Sequence, residues 1–459
     1  MIRTAPLEHQ KNIVAFSSPL EYSAIVSGYG SGKTLSGLWL MQVLRWKLVV
    51  VISTKTSIEA TWTEQIKEHS SFRFALVLGT RQQKIKIIRM ALYRYHRNVP
   101  KSQQPTLILL VNFDGVKNIY NTLVSLNPDA VIVDEPTKIK SPDALRTQVL
   151  WSISKYFSKR HIMGGNLFTE NLTELYAPIK FLDHGATFGN SYDKFLQDFF
   201  KKKKGRWEPK PGAEKKILKM IEPFCITVPD DVVKLPPASR KIIKLTPSKQ
   251  QRELIEDLHE NFKVELGRVK LSITSAYSLY IKEQQICDGF ITDSAGHIQF
   301  IETPKDEALI DILEEIGMKE KSIIWTSFIP SIKKLERLLT ALGYGVLTLY
   351  GETKDVRMIQ NKFNNSPRYQ ILLTTYSKGN ESLNLQKSRF SFRYSQTWSN
   401  DQKSNSAARN RRKGSLEAHK GLPIMYHDFL IRDSVDEIKF DNVKSKSEMV
   451  QRLKKYFNC

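Results

Sequence analysis

Cysteine is scarce in this sequence, with three in 459 residues, and Cys225, Cys287 and Cys459 lie far apart. None has a cysteine or histidine neighbour at metal-ligand spacing, so the three read as free thiols; a zinc site and a disulfide-stapled secreted fold are both excluded. No uncharged apolar run is long enough to span a bilayer, and the stretch from Met1 to Gln10 lacks the apolar core of a signal peptide. A cytoplasmic protein is therefore expected, with no membrane partner. Acidic side chains are also under-represented: 47 Asp plus Glu against 70 Lys plus Arg leave a net charge of +23 and a pI near 9.6. Such an imbalance points to a polyanionic partner, and nucleic acid is the first candidate because each neutralised phosphate releases counterions.

Apolar and aromatic contents of 41% and 10% are ordinary for a folded chain, and the length predicts two or three domains with cores of their own. The most informative stretch is Ser27-Gly28-Tyr29-Gly30-Ser31-Gly32-Lys33-Thr34, which follows the apolar run 22–26 and opens the helical run 35–44. A strand, a glycine-rich turn and a helix aim backbone N–H groups and the positive end of a helix dipole at one point, which suits a chain of phosphates. Gly28, Gly30, Ser31 and Gly32 form the cradle, Lys33 reaches the β- and γ-phosphates, and the Thr34 hydroxyl sits on Mg²⁺. Ser27 stands where the first glycine of such loops usually sits. The competing reading is a glycine-rich turn with an exposed lysine. Ahead of the loop, Gln10 offers an amide that both donates and accepts, matching the edge of adenine.

Strands are expected at 48–52, 74–78, 106–111, 130–133 and 160–163, alternating with helical segments as in a doubly wound parallel sheet. The first of these ends in Ser53-Thr54-Lys55-Thr56, at the edge where open α/β sheets place ligands. The run 130–133 ends in Asp134-Glu135. On a later strand of a P-loop sheet, such a pair places Asp134 near Mg²⁺ and leaves Glu135 to orient and polarise the attacking water; the plain alternative is a solvated acidic pair.

From 187 to 305 helical periodicity dominates, interrupted by Lys201-Lys202-Lys203-Lys204-Gly205-Arg206, which is either a solvated linker or a phosphate contact. A second alternating set starts near 306, with strands at 322–326, 345–349, 370–374 and 391–394 but no glycine-rich loop. It carries Arg409 and Arg412, three residues apart and on one face if helical. Two guanidinium groups so placed fit either an arginine finger acting on a γ-phosphate or a basic nucleic-acid patch.

Taken in order, these pieces resemble the motif series of superfamily 2 helicases, most of all the SNF2-type double-stranded DNA translocases. The resemblance is carried by Ile162 to Asn166, Glu170 to Tyr176, Phe181-Leu182, Phe188-Gly189, Phe195, Ile221 to Phe224 and Leu235 to Pro237. In the second half it rests on Tyr350-Gly351-Glu352-Thr353, Arg357, Phe363, Leu383-Asn384-Leu385 and Arg409, Arg412 and Gly414. It implies two RecA-like lobes, at 1–186 and 306–459, with a helical insertion at 187–305. It also implies ATP and Mg²⁺ as cofactors, hydrolysis of ATP to ADP and phosphate, and Arg409 and Arg412 completing the site when the lobes close. Four departures fall in parts that couple hydrolysis to movement: Pro136-Thr137 after the acidic pair, Gly165-Asn166 where Gly-Thr-Pro is usual, Ser382 for a glycine, and Asn405 for a glutamine.

The expectation is a monomeric DNA-dependent ATPase that moves on duplex or branched DNA without sequence preference and remodels forks or junctions beside recombination or replication proteins. Compact SNF2-like proteins of tailed phages are the nearest resemblance, which would make the compartment the host cytoplasm. The alternatives are a strand-separating helicase on DNA or RNA, a restriction-type motor subunit, and a decayed ATPase serving as a DNA-binding platform.

Overall fold

Two parallel sheets, each with helices on both faces, make up the computed structural model, which describes residues 1–459 except 29, 98–103, 204–205, 230–231, 233, 262, 267–268, 273–275, 352, 354, 380–382, 413 and 458–459. The chain divides into two compact units, Met1–Val233 with Glu448–Cys459, and Lys234–Ser447. Among the described residues no helix is long and apolar enough to cross a membrane.

The first sheet is built from β1 (Tyr22–Ser27), β2 (Leu48–Ser53), β3 (Arg73–Val77), β4 (Leu107–Asn112), β5 (Ala130–Asp134) and β6 (Lys159–Gly164), joined later by β9 (Cys225–Val228). The order is β3-β4-β2-β5-β6-β1-β9 and every pairing is parallel. Helices cover both faces, so successive residues of one strand enter different cores. Val50 and Ile52 pack into the core on one side with Val131 and Val133, while Val49 and Val51 pack with Ile108 and Ile132 on the other. That is why 48–52 reads as an unbroken apolar run with no alternation.

The region 187–305 contains more strand than its periodicity implies. It holds the hairpin β7 (Phe200–Lys203) and β8 (Arg206–Pro209), then β9, and then β10 (Ala238–Leu245), which enters the second sheet. Two further hairpins follow, β11 (Lys263–Leu266) with β12 (Val269–Ser272) and β13 (Phe290–Thr292) with β14 (Ile298–Phe300). Strands of three or four residues give too few alternations to register as a period-2 pattern, and on β7 three of the four residues are exposed lysines.

The second sheet adds β15 (Ser322–Thr326), β16 (Val346–Leu349), β17 (Ile371–Thr375), β18 (Phe390–Arg393) and β19 (Ile424–Ile431), in the order β10-β19-β18-β15-β17-β16, again all parallel. Its edge strand β10 is exposed along most of its length and carries Arg240, Lys241 and Lys244, which discourages pairing with another chain. A buried ion cluster closes one end of this unit: the Lys305 ammonium lies 3.0 Å from Asp288 and 2.7 Å from Asp436, with all three side chains fully buried. Burial alone would lower the Lys305 pKa, but Asp436 and Asp288 outweigh it and hold the ammonium above its usual range. Cys225 and Cys287 are buried free thiols, and Cys459 lies outside the described residues.

Candidate functional site

In the first unit the glycine-rich loop joins β1 to the helix Lys33–Val43. Gly30 (φ 83°) and Gly32 (φ 77°) adopt the left-handed conformation, and Gly32 caps that helix, so its first N–H groups face the turn. Only glycine takes such angles without strain, which is the reason for its spacing here. Tyr29 lies outside the described residues. The loop is braced from inside: Ser31 Oγ donates to the Gly28 carbonyl at 2.8 Å and also bonds the Ser27 hydroxyl. Ser27, the residue in place of the first glycine, therefore serves as an anchor for the turn. Lys33 Nζ donates to the carbonyls of Ser27 (2.8 Å) and Gly28 (3.3 Å), which folds its ammonium back over the loop. Thr34 follows it, half-exposed.

Gln10, 2% exposed, supports the same loop from the preceding helix. Its Oε1 accepts from the Leu7 N–H (2.9 Å), and its Nε2 donates to the carbonyls of Ser31 (3.2 Å) and Gly32 (3.3 Å). The neighbouring His9 ring bonds the Ser31 carbonyl as well, at 2.8 Å. A Cβ on Gly32 would collide with the Gln10 amide, so the glycine is fixed by contact as well as by angle.

Asp134 closes β5 on the same sheet edge, with β6 between its strand and β1. It is buried, and three donors converge on one of its oxygens: Ser53 Oγ (2.9 Å), Ser57 Oγ (3.1 Å) and Trp62 Nε1 (3.0 Å) all bond Oδ2. The carboxylate is thereby held in one orientation, with Oδ1 as its remaining acceptor. Glu135, half-buried, has φ 65° and ψ 65°, a left-handed backbone on a residue that is not glycine and that precedes a proline. Its N–H bonds the Met163 carbonyl at 2.9 Å, and Pro136 begins a short 3₁₀ turn. A conformation of this kind costs about 1–3 kcal/mol and is found where surrounding structure imposes it.

Two of the four motif departures meet at this point. A Cβ on Gly164 would stand 2.7 Å from Pro136 Cδ and 3.1 Å from the Asn166 carbonyl oxygen. Pro136 thus presses on the end of β6, where glycine leaves it room. The Asn166 Oδ1 is buried and accepts no hydrogen bond among the described residues. Beyond it, Glu174 organises the following turn: its Oε2 accepts from the Thr169 N–H (2.7 Å) and hydroxyl (3.0 Å), and its Oε1 pairs with Lys140 Nζ at 2.8 Å.

Thr34 and Asp134 would offer a metal oxygen donors alone, which fits a hard cation such as Mg²⁺ that keeps most of its coordination for water and phosphate. The loop amides and Lys33 fit the phosphates themselves. Sequence reasoning missed Ser57 and Trp62 as partners of Asp134. Ser53 was visible as a hydroxyl at a strand end.

In the second unit, Arg409 lies near the end of the helix Asn400–Asn410, and Arg412 lies just beyond it. Arg409 is 7% exposed and Arg412 half-buried. Arg409 Nη1 (3.4 Å) and Arg412 Nη1 (2.7 Å) both donate to the Leu383 carbonyl. Asn405, the residue in place of a glutamine, accepts from Arg409 Nη2 at 3.4 Å and donates to Asp401 at 2.9 Å. Ser382 and Glu352 lie outside the described residues, as do Lys204 and Gly205 of the basic run.

Comparison with known proteins finds relatives that match most of this chain. The phage protein p41 of Acyrthosiphon pisum secondary endosymbiont phage 1 is 22% identical over 465 residues, spanning 96% of both chains. The TATA-binding protein-associated factor mot1 of Aspergillus fumigatus is 23% identical over 398 residues, covering 74% of this chain and 20% of its own length. Among solved structures, the SWI2/SNF2 ATPase core of Sulfolobus solfataricus in complex with dsDNA is 16% identical with a TM-score of 0.41, covering 98% of this chain and 93% of that one. The model of the SNF2-related domain matches residues 9–289, more than half of the chain, and the protein belongs to that family.

Proposed function

We propose that this protein is an ATP-driven translocase that moves on duplex DNA and remodels branched structures such as forks and junctions. The observation that carries the proposal is the pairing, on one sheet edge, of a left-handed glycine cradle at the end of β1 with an Asp134 carboxylate fixed at the end of β5. Membership of the SNF2-related family supports a function of the DNA-translocase type, and the net charge of +23 supports a polyanionic track. In this reading the loop amides, Lys33 and Thr34 hold the phosphates and Mg²⁺ together with Asp134. The metal neutralises charge on the transferred phosphoryl group. Glu135 orients the attacking water, and Arg409 and Arg412 supply guanidinium charge in the transition state. Gln10 keeps the loop in shape, and it meets the adenine edge only by giving up part of its hold on the Ser31 and Gly32 carbonyls and the Leu7 N–H. Contacts to DNA are made chiefly to phosphates, so the grip tolerates any sequence. The homologous phage protein fits action in a host cytoplasm.

ATP hydrolysis measured with single strands, duplex, forks and four-way junctions tests the proposal. Duplex-containing ligands are expected to stimulate turnover, with branched ones the strongest. Absence of stimulation by any nucleic acid would remove the motor reading. The second reading, a DNA-binding platform that has lost turnover, is favoured by Pro136 wedged against Gly164 and by the left-handed Glu135 beside it. The same assay decides between them. Displacement of a triplex strand without unwinding of a forked duplex would separate translocation from strand separation.

A further inference from the structure

The three donors to Asp134 do not come from scattered places. Ser53 ends β2, while Ser57 and Trp62 are the first and last residues of a single π-helical turn, Ser57–Trp62. In an α-helix, positions five apart diverge by roughly 140° around the axis and could not aim at one atom. The wider π turn closes on i→i+5, so both ends reach Asp134 Oδ2; such turns are rare and recur at functional sites. Trp62 is fully buried, and a Cβ on Gly37, in the helix that follows the phosphate loop, would stand 3.5 Å from its ring. One indole therefore bonds the carboxylate and shares a core with the phosphate-loop helix through Leu38 and Met41.

The same turn controls a stretch on the sheet edge. Ile58 N–H bonds the Thr54 carbonyl at 3.1 Å, and Ser57 N–H bonds the Thr54 hydroxyl at 3.3 Å. Between them Lys55 is exposed, in a weak surface pair 4.0 Å from Glu59, with Thr54 and Thr56 half-exposed on either side. An ammonium flanked by two hydroxyls is phosphate-binding chemistry.

We infer that Ser57 and Trp62 are positioning residues: they fix Asp134 so that Oδ1 meets the metal-bound nucleotide, and they tie that event to the phosphate contacts of Thr54, Lys55 and Thr56. The inference rests on the proposed nucleotide site and adds the route by which that site acts on the nucleic-acid contact. Because Oδ2 is tied to both ends of the π turn, metal binding at Oδ1 changes the strength of those two hydrogen bonds and so the hold on the turn. Because linkage is reciprocal, nucleic acid held at 54–56 changes affinity for the Mg²⁺-nucleotide by the same factor.

The test uses the full chain, a fluorescent ADP analogue with and without Mg²⁺, and hydrogen exchange over residues 54–57. Ser57→Ala and Trp62→Phe are expected to raise the Mg²⁺ concentration for half-maximal nucleotide binding about 3- to 10-fold, the scale of one net hydrogen bond. Affinity in EDTA should move less than about twofold, since the loop and Lys33 set it. Wild-type protein should show a change in exchange at 54–57 when Mg²⁺ and ADP bind, and both variants should lose it. Ser57→Thr keeps the hydroxyl and should keep wild-type behaviour. Variants with unaltered Mg²⁺ dependence and an unaltered exchange response would overturn the inference, and so would equal weakening in Mg²⁺ and in EDTA, which would indicate general loosening. Failure of duplex DNA to stimulate wild-type ATPase would count against the proposed function and leave these binding measurements to judge the relay.

Discussion

Arg409 and Arg412 share one acceptor: both guanidinium groups donate to the Leu383 carbonyl. A single peptide group therefore sets the spacing of the two charges, and it belongs to Leu383-Asn384-Leu385, itself one of the family-like motifs of the second half. In the proposed function these two held guanidinium groups would meet charge that spreads over phosphoryl oxygens. Arg412→Ala is expected to lower ATP turnover by about 10³-fold or more, the scale of a missing arginine finger, while affinity for duplex DNA changes little. Steady-state ATPase and DNA titration on the same preparation check this. Weakened DNA binding with hydrolysis spared would assign the arginines to a basic patch.

Glu135 makes a prediction with two signs. Glu135→Gln keeps the shape and hydrogen-bonding reach of the side chain but cannot polarise water, so ATP should still bind and turnover should fall to background. Glu135→Gly removes the side chain together with the strain of the left-handed backbone at φ 65°. Denaturant unfolding of the glycine variant should show a gain of about 1 kcal/mol for the first unit, against complete loss of hydrolysis. Loss of both stability and activity would mean that the Glu135 side chain holds the turn in place.

Some of this was open to reading in the sequence and some was not, for physical reasons. The glycine spacing of 28–32 dictates a left-handed turn between strand and helix, since few other residues adopt those angles. The runs at 48–52 and 107–111 announce strands covered on both faces because every residue there meets a core. The donors to Asp134 were hidden: Ser57 and Trp62 lie 77 and 72 residues away along the chain, and their convergence depends on a π turn that no periodicity encodes. The hairpin at 200–209 was hidden too, because its lysines suggest a linker and its pairing depends on Phe200 being buried in the core beneath it.

That hairpin yields a third prediction. Lys202 stands opposite Trp207, its ammonium 6.0 Å from the ring centre, while Lys201 and Lys203 project from the other face; among the described residues only Lys203 has an acidic partner, Glu208 at 3.7 Å. An exposed pair of that kind is weak and yields readily to a phosphate. Replacing Lys201, Lys202 and Lys203 by Gln should flatten the dependence of log K on log[salt] for duplex DNA by about 0.9 for each phosphate no longer neutralised, or ~2.7 if all three lysines are engaged. ATPase in the absence of DNA should be unaffected. An unchanged slope would make the run a solvated surface.

His161 is expected to weaken the first unit in acid. It is fully buried on β6, with Nδ1 bonded to the Ser23 hydroxyl at 2.7 Å, Nε2 without a partner among the described residues, and the Trp46 ring 5.5 Å away. Burial, reinforced by Lys159 and Arg160, pushes its pKa down to about 3. The folded state thus holds the ring neutral, whereas the unfolded chain takes up a proton near pH 6.5. The resulting stabilisation is complete above pH 6.5 and is lost as the pH falls toward 3, at up to about 1.4 kcal/mol per pH unit. Between pH 7 and pH 5 this one group should remove about 2 kcal/mol from the unfolding free energy of the unit. Urea unfolding followed by tryptophan fluorescence at the two pH values measures the difference, and His161→Gln, which cannot titrate, should abolish most of it. An equal pH dependence in the variant would shift the cause to other buried groups.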